Sequence, residues 1–457
     1  MLPLFFDISS TLAVEDRTET RVRYVDPDAV LDVETDPKLS YRGSIRHNLD
    51  SFTLSYGPRI VLTNITGDSA PVNGLESDAQ KLDFIHQGNA LLEWQWGPRT
   101  RFISNNVVQY GTASVGTLLV QPRWNGEDRP LAARPFSPNA RARFDFLSLN
   151  LESGFFHFVT PRLSVAPSVF YLTYGGPDAE SRKRLNYLQN PGFKVAINYS
   201  LWPTDDLIIE VAPQVNIFTS TTQALDTQLR PLDTNGQVVV LDDQGNVPAG
   251  VTPQFVSRDA PPIYQGYGET RWRHRFSALT STELAGGVNA TFQDRSTNPD
   301  DPFNFSKGPT SLDARVFPIA EALVNVGFKT SFAKGRLIAY SRLAPWLNLL
   351  TGDNQERSEN VLAAAFVFGL NTVRAQAGFY TTLPDEQLPF RQITGELSYE
   401  RKITKAWSFD IGARVGQQTA NVPDFTKAKP LDEPREISTF QPGGFVGIAF
   451  QPQNVKF

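Results

Sequence analysis

Large apolar side chains occupy every second position over much of the chain. In the segment 193–201 the odd positions are all apolar, while the even positions are Lys, Ala, Asn and Ser. Successive side chains of a β-strand point to opposite faces, so this alternation predicts a strand with one apolar face. The same pattern recurs in the segments 209–217, 283–292, 372–379, 393–400 and 407–415. No helical periodicity is sustained comparably, and the sequence therefore predicts an all-β chain.

The connections between the predicted strands alternate between short and long. The short ones lie near 97–99, 160–162, 202–205, 278, 333–335, 371 and 404–405. The long ones are 66–82, 112–140, 175–190, 219–263, 294–310, 351–358, 383–390 and 419–437. Strict alternation indicates an up-and-down meander that has all its tight turns at one end. Transmembrane β-barrels have this asymmetry of short turns and long loops.

The strand count and the domain count follow from the same pattern. The runs number roughly 16–20, and the even strand number of bacterial barrels favours about 18. Pro27 and Pro37 interrupt the alternation, and the segments predicted around them are 4–14, 20–33, 39–56 and 59–65. A change of parity between Phe146 and Leu147 predicts a bulge, and the segment 336–346 fits neither parity. No internal repeat or low-complexity linker divides the chain, so residues 1–457 are expected to form one domain.

Three tryptophans each stand beside a predicted tight turn. Trp96 and Trp407 share the apolar parity of their strands, whereas Trp202 falls one residue off it. A membrane–water interface favours such residues because an indole combines an apolar body with one hydrogen-bond donor. The alternative is that all three are core tryptophans of a β-sandwich. Their common position beside turns favours the membrane interface.

Composition narrows the class of protein. The chain is 40% hydrophobic and 20% charged, its mean hydropathy is −0.28, and it has no run of apolar residues long enough for a transmembrane helix. The net charge of −5 gives no electrostatic basis for binding nucleic acid. The absence of cysteine excludes disulfides, thiolate metal sites and cysteine nucleophiles. The N-terminal residues lack the features of a signal peptide, and we expect that an export leader precedes the numbered chain.

The segment Gly444-Phe445-Val446-Gly447-Ile448-Ala449-Phe450 resembles the β-signal that ends Gram-negative outer-membrane β-barrel proteins. Here the chain continues to a second phenylalanine, Phe457. The resemblance implies an antiparallel up-and-down transmembrane β-barrel of about 16–18 strands in the outer membrane, with short periplasmic turns and long extracellular loops. General porins and exopolysaccharide-export barrels are the two subfamilies it suggests. It also implies, as partners, outer-membrane lipids and lipopolysaccharide, the barrel assembly machinery and a periplasmic or lipoprotein export partner.

Three arginines share one parity in the segment 269–276. Arg271, Arg273 and Arg275 alternate with Trp272 and Phe276, so they would line the lumen if the aromatic side chains face lipid. Guanidinium groups pair with carboxylates and phosphates, and the row could attract anionic solutes or acidic sugars. The alternative is a solubilising inner wall whose charges are balanced by neighbouring acids such as Glu283.

Charges of both signs occupy the inward parity of the other strands. They could create a transverse field across a narrow bore, or pair with one another and fill it. The predicted lumen residues are Lys194, Glu210, Glu283, Arg374, Glu396, Glu400, Asp410 and Arg414.

Two long loops carry features of their own. The loop 219–263 contains Asn235-Gly236 before the apolar run 238–241, which predicts a small hairpin. That loop could fold into the pore and narrow it, or stand outside as a lid or docking surface. The basic run 182–184 could contact lipopolysaccharide phosphates at the outer face, or be a solvated tip.

Enzyme motifs are lacking. The four histidines, His47, His86, His157 and His274, form no HExxH pair, and there is no GxSxG segment and no phosphate loop. We therefore expect no enzyme, no catalytic or metal site and no cofactor. The sequence predicts an outer-membrane channel that passes anionic solutes or an acidic polysaccharide through a charged lumen. The alternative is a non-conducting barrel that anchors a surface or periplasmic partner through its loops.

Overall fold

The structure is a computed structural model. The residues that it describes are 6–25, 28–47, 50–66, 80–114, 143–182, 187–223, 232–239, 254–259, 261–296, 310–348, 353–383, 390–422, 435–450 and 455–456.

Long β-strands make up almost all of the described residues. The strands are β1 (Phe6–Val25), β2 (Asp28–His47), β3 (Asp50–Thr66), β4 (Gln80–Gly97), β5 (Thr100–Ser114), β6 (Arg143–Thr160), β7 (Leu163–Gly175), β8 (Tyr187–Trp202), β9 (Asp205–Gln223), β10 (Phe255–Asp259), β11 (Ile263–Arg275), β12 (Thr280–Ser296), β13 (Thr310–Lys329), β14 (Ala333–Asn348), β15 (Asp353–Phe368), β16 (Asn371–Thr382), β17 (Phe390–Lys402), β18 (Trp407–Val422), β19 (Arg435–Phe450) and β20 (Val455–Lys456). A short helix, α1 (Ala179–Arg182), follows β7. None of the helical residues described belongs to a helix long and apolar enough to cross a membrane.

The strands pair antiparallel with their neighbours in sequence, and the sheet closes on itself. β1 pairs with β2 on one side and with β19 on the other, in a register that runs from Val14 opposite Phe450 to Val25 opposite Thr439. β10 pairs with the end of β9 in line with β11, and β20 pairs with β1 in line with β19. Nine strands, β1–β9, and nine more, β11–β19, therefore form a closed barrel of eighteen strands. This confirms the all-β, up-and-down barrel predicted from the alternation.

The N-terminal strands differ from the prediction. Four strand segments were expected between residues 4 and 65, but the structure has three strands there. β2 continues through Pro37, which stands opposite Asp16 of β1, so that proline does not end a strand. Pro37 interrupted the apolar alternation without interrupting the pairing of β2 with β1, and Pro27 lies outside the described residues.

The expected bulge between Phe146 and Leu147 is absent. Phe146 stands opposite Gly111 and Leu147 opposite Tyr110 in one continuous register. The apolar parity changes in the sequence because Phe146 is a large apolar side chain buried on the inner face, while Leu147 lies on the outer face. Register shifts occur instead where strands enter three tight turns, between Gln95 and Gly97, Phe158 and Thr160, and Ser200 and Trp202.

The segment 336–346 has a regular parity after all. Leu337 and Ala339 are exposed on the outer face of β14, whereas Tyr340 is buried on the inner face. The inner face also carries Arg336 and Arg342, and this mixture of apolar and charged residues hid the period.

The outer face of the barrel carries an apolar band. Along β4, for example, Phe84, Leu92, Trp94 and Trp96 are exposed. Ten residues separate His86 from Trp96, which at a strand rise of about 3.3 Å and a tilt of about 40° is a height of roughly 25 Å. That is the height of the apolar band of transmembrane barrels.

Aromatic side chains border the band at both ends. At the tight-turn end, Trp94 stacks on Trp96 with 5.7 Å between ring centroids, and Trp407 lies 4.7 Å from Phe450. At the opposite end, the Tyr56 hydroxyl is hydrogen bonded to His86 Nδ1 at 2.6 Å. Aromatic borders of this kind mark the two membrane–water interfaces.

Candidate functional site

The inner wall of the barrel is polar and charged. Side chains on the parity opposite the exposed apolar band point to the inside, and along β11 these are Tyr267, Glu269, Arg271, Arg273 and Arg275. On the outer parity, Tyr264 of β11 and Phe276, the residue that follows the strand, are exposed. The three arginines therefore form a row on the inner wall.

Arg271 is buried among three carboxylates. Its Nη2 donates to Glu269 Oε1 at 2.6 Å, and its guanidinium nitrogens lie 3.9 Å from Glu283 Oε2 and 3.9 Å from Glu321 Oε1. Glu269, Glu283 and Glu321 come from β11, β12 and β13, and all are buried. Burying a charge is costly unless it is paired, and this arrangement supplies the pairing.

The other two arginines of the row are also paired but are more accessible. Arg273 Nε donates to Glu283 Oε1 at 2.7 Å, and Arg275 forms an ion pair with Asp206 of β9. The exposed fraction of the side chain rises from 6% at Arg271 to 26% at Arg273 and 50% at Arg275. Only the part of the row near the tight-turn end can meet a solute directly.

Charged side chains continue along the wall on the β9 side of Arg271. Glu210 of β9 stands directly opposite Glu269. Farther along, Lys194 of β8 lies 2.5 Å from Glu152 of β6, which also accepts a hydrogen bond from Ser168 at 2.9 Å. Lys194 is therefore matched by a carboxylate.

On the β13 side, Glu321 connects the row to β14. Arg342 Nε lies 3.7 Å from Glu321 Oε2, and the Tyr340 hydroxyl donates to the same carboxylate at 3.4 Å. Arg357 of β15 is 3.4 Å from Glu359, and its guanidinium carbon lies 5.0 Å from the Tyr380 ring centroid. We call this set the charge network; its members are Glu152, Lys194, Glu210, Glu269, Arg271, Arg273, Glu283, Glu321, Arg342, Arg357 and Glu359.

The remaining predicted lumen charges lie on β16–β18. Arg374 Nη2 donates to Glu400 Oε2 at 2.7 Å, and Arg414 lies 3.2 Å from Glu396. Asp410 packs closely over Gly447, where an added Cβ would overlap the carboxylate. Each basic residue predicted for the lumen thus faces a carboxylate, so the inner wall is charged but locally balanced.

Some members of the charge network were missed by the sequence reasoning. Glu269 stands two residues before Arg271 on the same parity and could have been found from spacing alone. Glu321 is the one acid in the apolar stretch 316–324 of β13, a position that marks a buried partner of a cation. Glu152 and Arg342 lacked any such signal, because their partners lie on neighbouring strands.

Apolar side chains line the inner wall near the long-loop ends of β6–β11. Phe146, Phe170, Leu188, Phe218 and Ile263 are all buried there. The helix α1 lies against β6 and β9, which are separated in the sheet by β7 and β8.

A ladder of amide side chains adjoins this apolar layer. Asn190 donates to Asn216, Asn216 Nδ2 donates to Gln265 Oε1 at 2.8 Å, and Gln214 Nε2 donates to the same oxygen at 2.5 Å. These amides come from β8, β9 and β11 and tie the three strands together across the inner wall.

Arg182 folds back on its own loop. Its Nη2 donates to the carbonyl oxygen of Pro177 at 2.5 Å, its Nε donates to that of Gly176 at 3.2 Å, and its guanidinium lies over the Tyr187 ring. Residues 183 and 184 of the basic run fall outside the described residues. Arg182 therefore contacts its own loop, and it does not point outward into solvent as a solvated tip would.

Part of the 219–263 loop is described and contains the expected hairpin turn. Leu232 bridges to Val238, and Gly236 has a φ of 76°, the left-handed conformation that glycine favours. The Asp233 carboxylate accepts from the backbone nitrogens of Gln237 and Asn235, both at 2.8 Å. The hydrogen bond that the Gln237 backbone nitrogen donates has the largest effect, and together with the hydrogen bonds from Asn235 it lowers the pKa of Asp233. Residues 224–231 and 240–253 of this loop lie outside the described residues. The two predicted placements of the loop, inside the pore or outside it, therefore fall outside them as well.

The three predicted interface tryptophans are exposed. Trp96 and Trp202 expose 62% and 63% of their surface, and Trp407 exposes 42%. The register shift between Ser200 and Trp202 explains why Trp202 is off the apolar parity in the sequence.

A closed antiparallel barrel with an even number of strands, an apolar outer band about 25 Å high, aromatic borders and a charged inner wall is the architecture of bacterial outer-membrane barrels. The chain therefore has the fold of an outer-membrane β-barrel protein. Its apolar outer band places it in an outer membrane, with the tight turns at one face and the long loops at the other. Among the residues that the structure describes, no group of three or more His, Asp or Glu side chains could hold a metal ion.

Several solved structures are similar to the chain at about 10% sequence identity. No family model and no curated protein matches the chain. Among solved structures, the copper transporter OprC is similar at 10% identity and a TM-score of 0.46 over 96% of this chain and 80% of that one. Pseudomonas aeruginosa OpdK, solved with vanillate, is similar at 9% identity and a TM-score of 0.44 over 97% and 99%. Acinetobacter baumannii OccAB2 is similar at 9% identity and a TM-score of 0.40 over 98% of each chain. All three TM-scores lie below 0.5, so the fold assignment rests on the strand pairing itself.

Proposed function

We propose that the protein is an outer-membrane channel. The observation that carries this proposal is the closed barrel of eighteen strands with an inner wall of charged and amide side chains. Barrels of sixteen or more strands are wide enough to enclose water, and a wall of charged and amide groups suits contact with water and polar solutes. Polar solutes can cross such a bore without meeting the hydrocarbon of the membrane.

The cargo that we propose is an anionic solute, with an acidic polysaccharide as the extended form of the same chemistry. Arg273 and Arg275 support it, because they are the more accessible members of the arginine row. A carboxylate or phosphate of the solute would exchange with Glu283 or Asp206 and take up a charge-assisted hydrogen bond of the same kind. Since the arginines already have partners, selection would come from this exchange and not from a large excess of positive charge.

The helix α1 and the apolar layer beneath it would narrow the bore near the long-loop end. The helix lies against β6 and β9, and the inner side chains of the strands that it would cross, Phe170 and Leu188 among them, are buried. In this proposal the constriction comes from the β7–β8 connection, and the 219–263 loop is not required for it.

Ion selectivity in planar bilayers tests the proposed function. We expect ohmic steps for the purified protein, and a shift of the reversal potential toward cation selectivity in the double variant Arg273→Glu with Arg275→Glu. The matched control, Arg273→Lys with Arg275→Lys, keeps the charge and should leave the reversal potential unchanged. Conducting pores with the same reversal potential in all three proteins would remove the arginines from the selection of cargo.

A non-conducting anchor is the second candidate. Complete burial of the inner-wall side chains Tyr380 and Gln392 favours it, because covered side chains leave less space for solute. A barrel of this kind would hold a surface or periplasmic partner through its loops. Persistent absence of conductance from correctly folded protein would support the anchor and contradict the channel.

A further inference from the structure

Three basic residues stand together on the inner wall at the tight-turn end of β13 and β14. Lys329 and Lys334 are directly opposite each other where the two strands enter their turn, and Arg336 stands opposite Gly327, two residues farther along. All three lie on the inner parity of their strands and are exposed. We call them the mouth cluster, because they border the lumen where it opens at the tight turns.

The two lysines are held close together by the strand register. The backbone nitrogen of Thr330 donates to the carbonyl oxygen of Ala333 at 2.8 Å and closes the turn. Lys329 and Lys334 form the next, non-hydrogen-bonded pair, and the Cα atoms of such a pair are about 4.5 Å apart. Like charges directly opposite each other on one face of a sheet are destabilising. The pair therefore favours an anion between its two ammonium groups.

The mouth cluster lacks the carboxylates that accompany the bases of the charge network. Among the residues that the structure describes, no carboxylate forms an ion pair with any of its three members, and Arg336 Nε donates instead to the neutral Asn325 Oδ1 at 2.8 Å. On the neighbouring strand β15, Val367 stands opposite Lys334 and Ala365 opposite Arg336. These apolar neighbours cannot compensate the positive charge.

The excess of positive charge extends to the strands on either side. Arg275 of β11 and Arg374 of β16 flank the mouth cluster, and their carboxylate partners, Asp206 and Glu400, lie on the strands beyond, β9 and β17. In the described part of β11–β16 near the tight turns, the inner wall has one carboxylate, Glu283, and it is already bound by arginines of β11. This sector of the mouth therefore attracts anions.

The chemistry of the mouth cluster fits a phosphate group. Each ammonium group offers three hydrogen-bond donors, and the hydrogen bond to Asn325 leaves the two terminal nitrogens of Arg336 available. A phosphate carries up to two negative charges and at least three acceptor oxygens, so it can contact both lysines and the arginine at once. A carboxylate has one charge and two oxygens, and it would leave part of the cluster uncompensated.

We propose that the mouth cluster binds a phosphate group of a soluble solute at the tight-turn mouth of the lumen. This deepens the channel function proposed above and rests on it for the role of the site, although binding itself needs only the folded barrel. The phosphates of membrane lipids are the other source of the same chemistry. The inner parity of all three residues favours the solute, because their side chains face the lumen and not the lipid.

Isothermal titration calorimetry of the folded full chain in an uncharged detergent tests the site, with pyrophosphate as the probe. We expect one pyrophosphate bound by the wild type and at least a tenfold loss of affinity in Lys329→Gln with Lys334→Gln. Lys402→Gln with Lys405→Gln is the matched control, because it removes the same charge from the β17–β18 turn, where both lysines are also exposed. Its affinity should stay within twofold of the wild type. No binding by the wild type, or equal losses in the two variants, would overturn the proposal.

Two further arms separate the sources of phosphate and the proposed function. Adding phosphatidylglycerol to the detergent should leave the affinity for pyrophosphate unchanged, and competition would overturn the assignment to a soluble solute and give the cluster to lipid headgroups. In planar bilayers, pyrophosphate should lower the current of the wild type and the matched control but not that of Lys329→Gln with Lys334→Gln. Calorimetric binding without any conductance would refute the channel and keep the site, whereas conductance without binding would refute the site and keep the channel.

Discussion

At the scale of single residues, the inner wall is organised by ion pairing. Arg271 has three carboxylates within 4 Å and is almost inaccessible to water, whereas Arg275, four residues along the same face, is half exposed. The same residue type therefore has two roles on one strand. Arg271 offsets buried carboxylates of three strands, and Arg275 is placed to meet solute.

Replacing Arg271 by Gln should destabilise the barrel strongly. The change leaves Glu269, Glu283 and Glu321 buried without their shared cation, and breaking a buried pair in this way costs about 3–5 kcal/mol. Urea unfolding, followed by heat-modifiable migration or tryptophan fluorescence, measures the loss. Arg275→Gln is the control and should cost about 1 kcal/mol or less, because that pair is screened by water. Equal losses in the two variants would contradict the structural role of Arg271.

Gly192 should tolerate no side chain, because the Phe170 ring of the opposite strand lies directly over it. A Cβ at this position would overlap the ring, so we expect Gly192→Ala to cost about 1–3 kcal/mol of overpacking. Gly266→Ala is the matched control, since nothing lies within 4 Å of a Cβ placed there. The same urea titration compares the two, and a Gly192→Ala variant as stable as Gly266→Ala would show that Phe170 does not pack as described.

At the scale of elements, the alternation predicted the strands best where the inner face is purely polar. The segments 193–201, 393–400 and 407–415 of β8, β17 and β18 were identified in this way, because their inner positions are charged, Asn or small residues. The prediction was wrong at Phe146 and undecided at β14, since apolar side chains also occupy the inner face there. Periodicity reports the difference between two faces, and it disappears when both are apolar.

The hairpin turn of the 219–263 loop should depend on pH through Asp233. Its lowered folded pKa means that the carboxylate stabilises the turn above the ordinary pKa of about 3.9, and that this contribution is lost as the pH falls through the folded value. Amide hydrogen exchange at Asn235 and Gln237, corrected for intrinsic rates, should show protection that decreases below about pH 4. Asp233→Asn should remove this pH dependence. Protection that is constant with pH in the wild type would exclude Asp233 from stabilising the turn.

At the scale of the whole molecule, the sequence predicted the architecture, but of the charge partners on the inner wall it named only Glu283. Strand number, meander and membrane class follow from local alternation and turn spacing, which are contained in short segments. The partners of Arg271 and Lys194 depend instead on the register between strands that are far apart in sequence, such as β6 with β8 and β11 with β13. The sequence left open whether the arginine row attracts anions or is balanced by acids such as Glu283, and in the structure Glu283 does pair with Arg273.

Closure of the barrel can be tested with a disulfide, because the chain has no cysteine of its own. Thr18 of β1 stands opposite Val446 of β19, and directly opposed residues of antiparallel strands have Cα atoms close enough for a disulfide. We expect Thr18→Cys with Val446→Cys to cross-link within one chain on oxidation. Val415 lies on β18, which does not neighbour β1, and Thr18→Cys with Val415→Cys should not cross-link. Failure of the first pair in folded protein would contradict closure between β1 and β19.

The most direct measurement of the two-faced barrel is a spin-label scan along β17 in lipid bilayers, with single cysteines at Ile393, Glu396, Leu397 and Glu400. Ile393 and Leu397 lie on the outer apolar face, and Glu396 and Glu400 lie on the inner wall. The barrel predicts that labels at the two apolar positions collide mainly with oxygen, which dissolves in hydrocarbon, and that labels at the two glutamate positions collide mainly with a water-soluble nickel complex. Equal access of the nickel complex at all four positions would show that no hydrocarbon covers the outer face, and the account would be wrong.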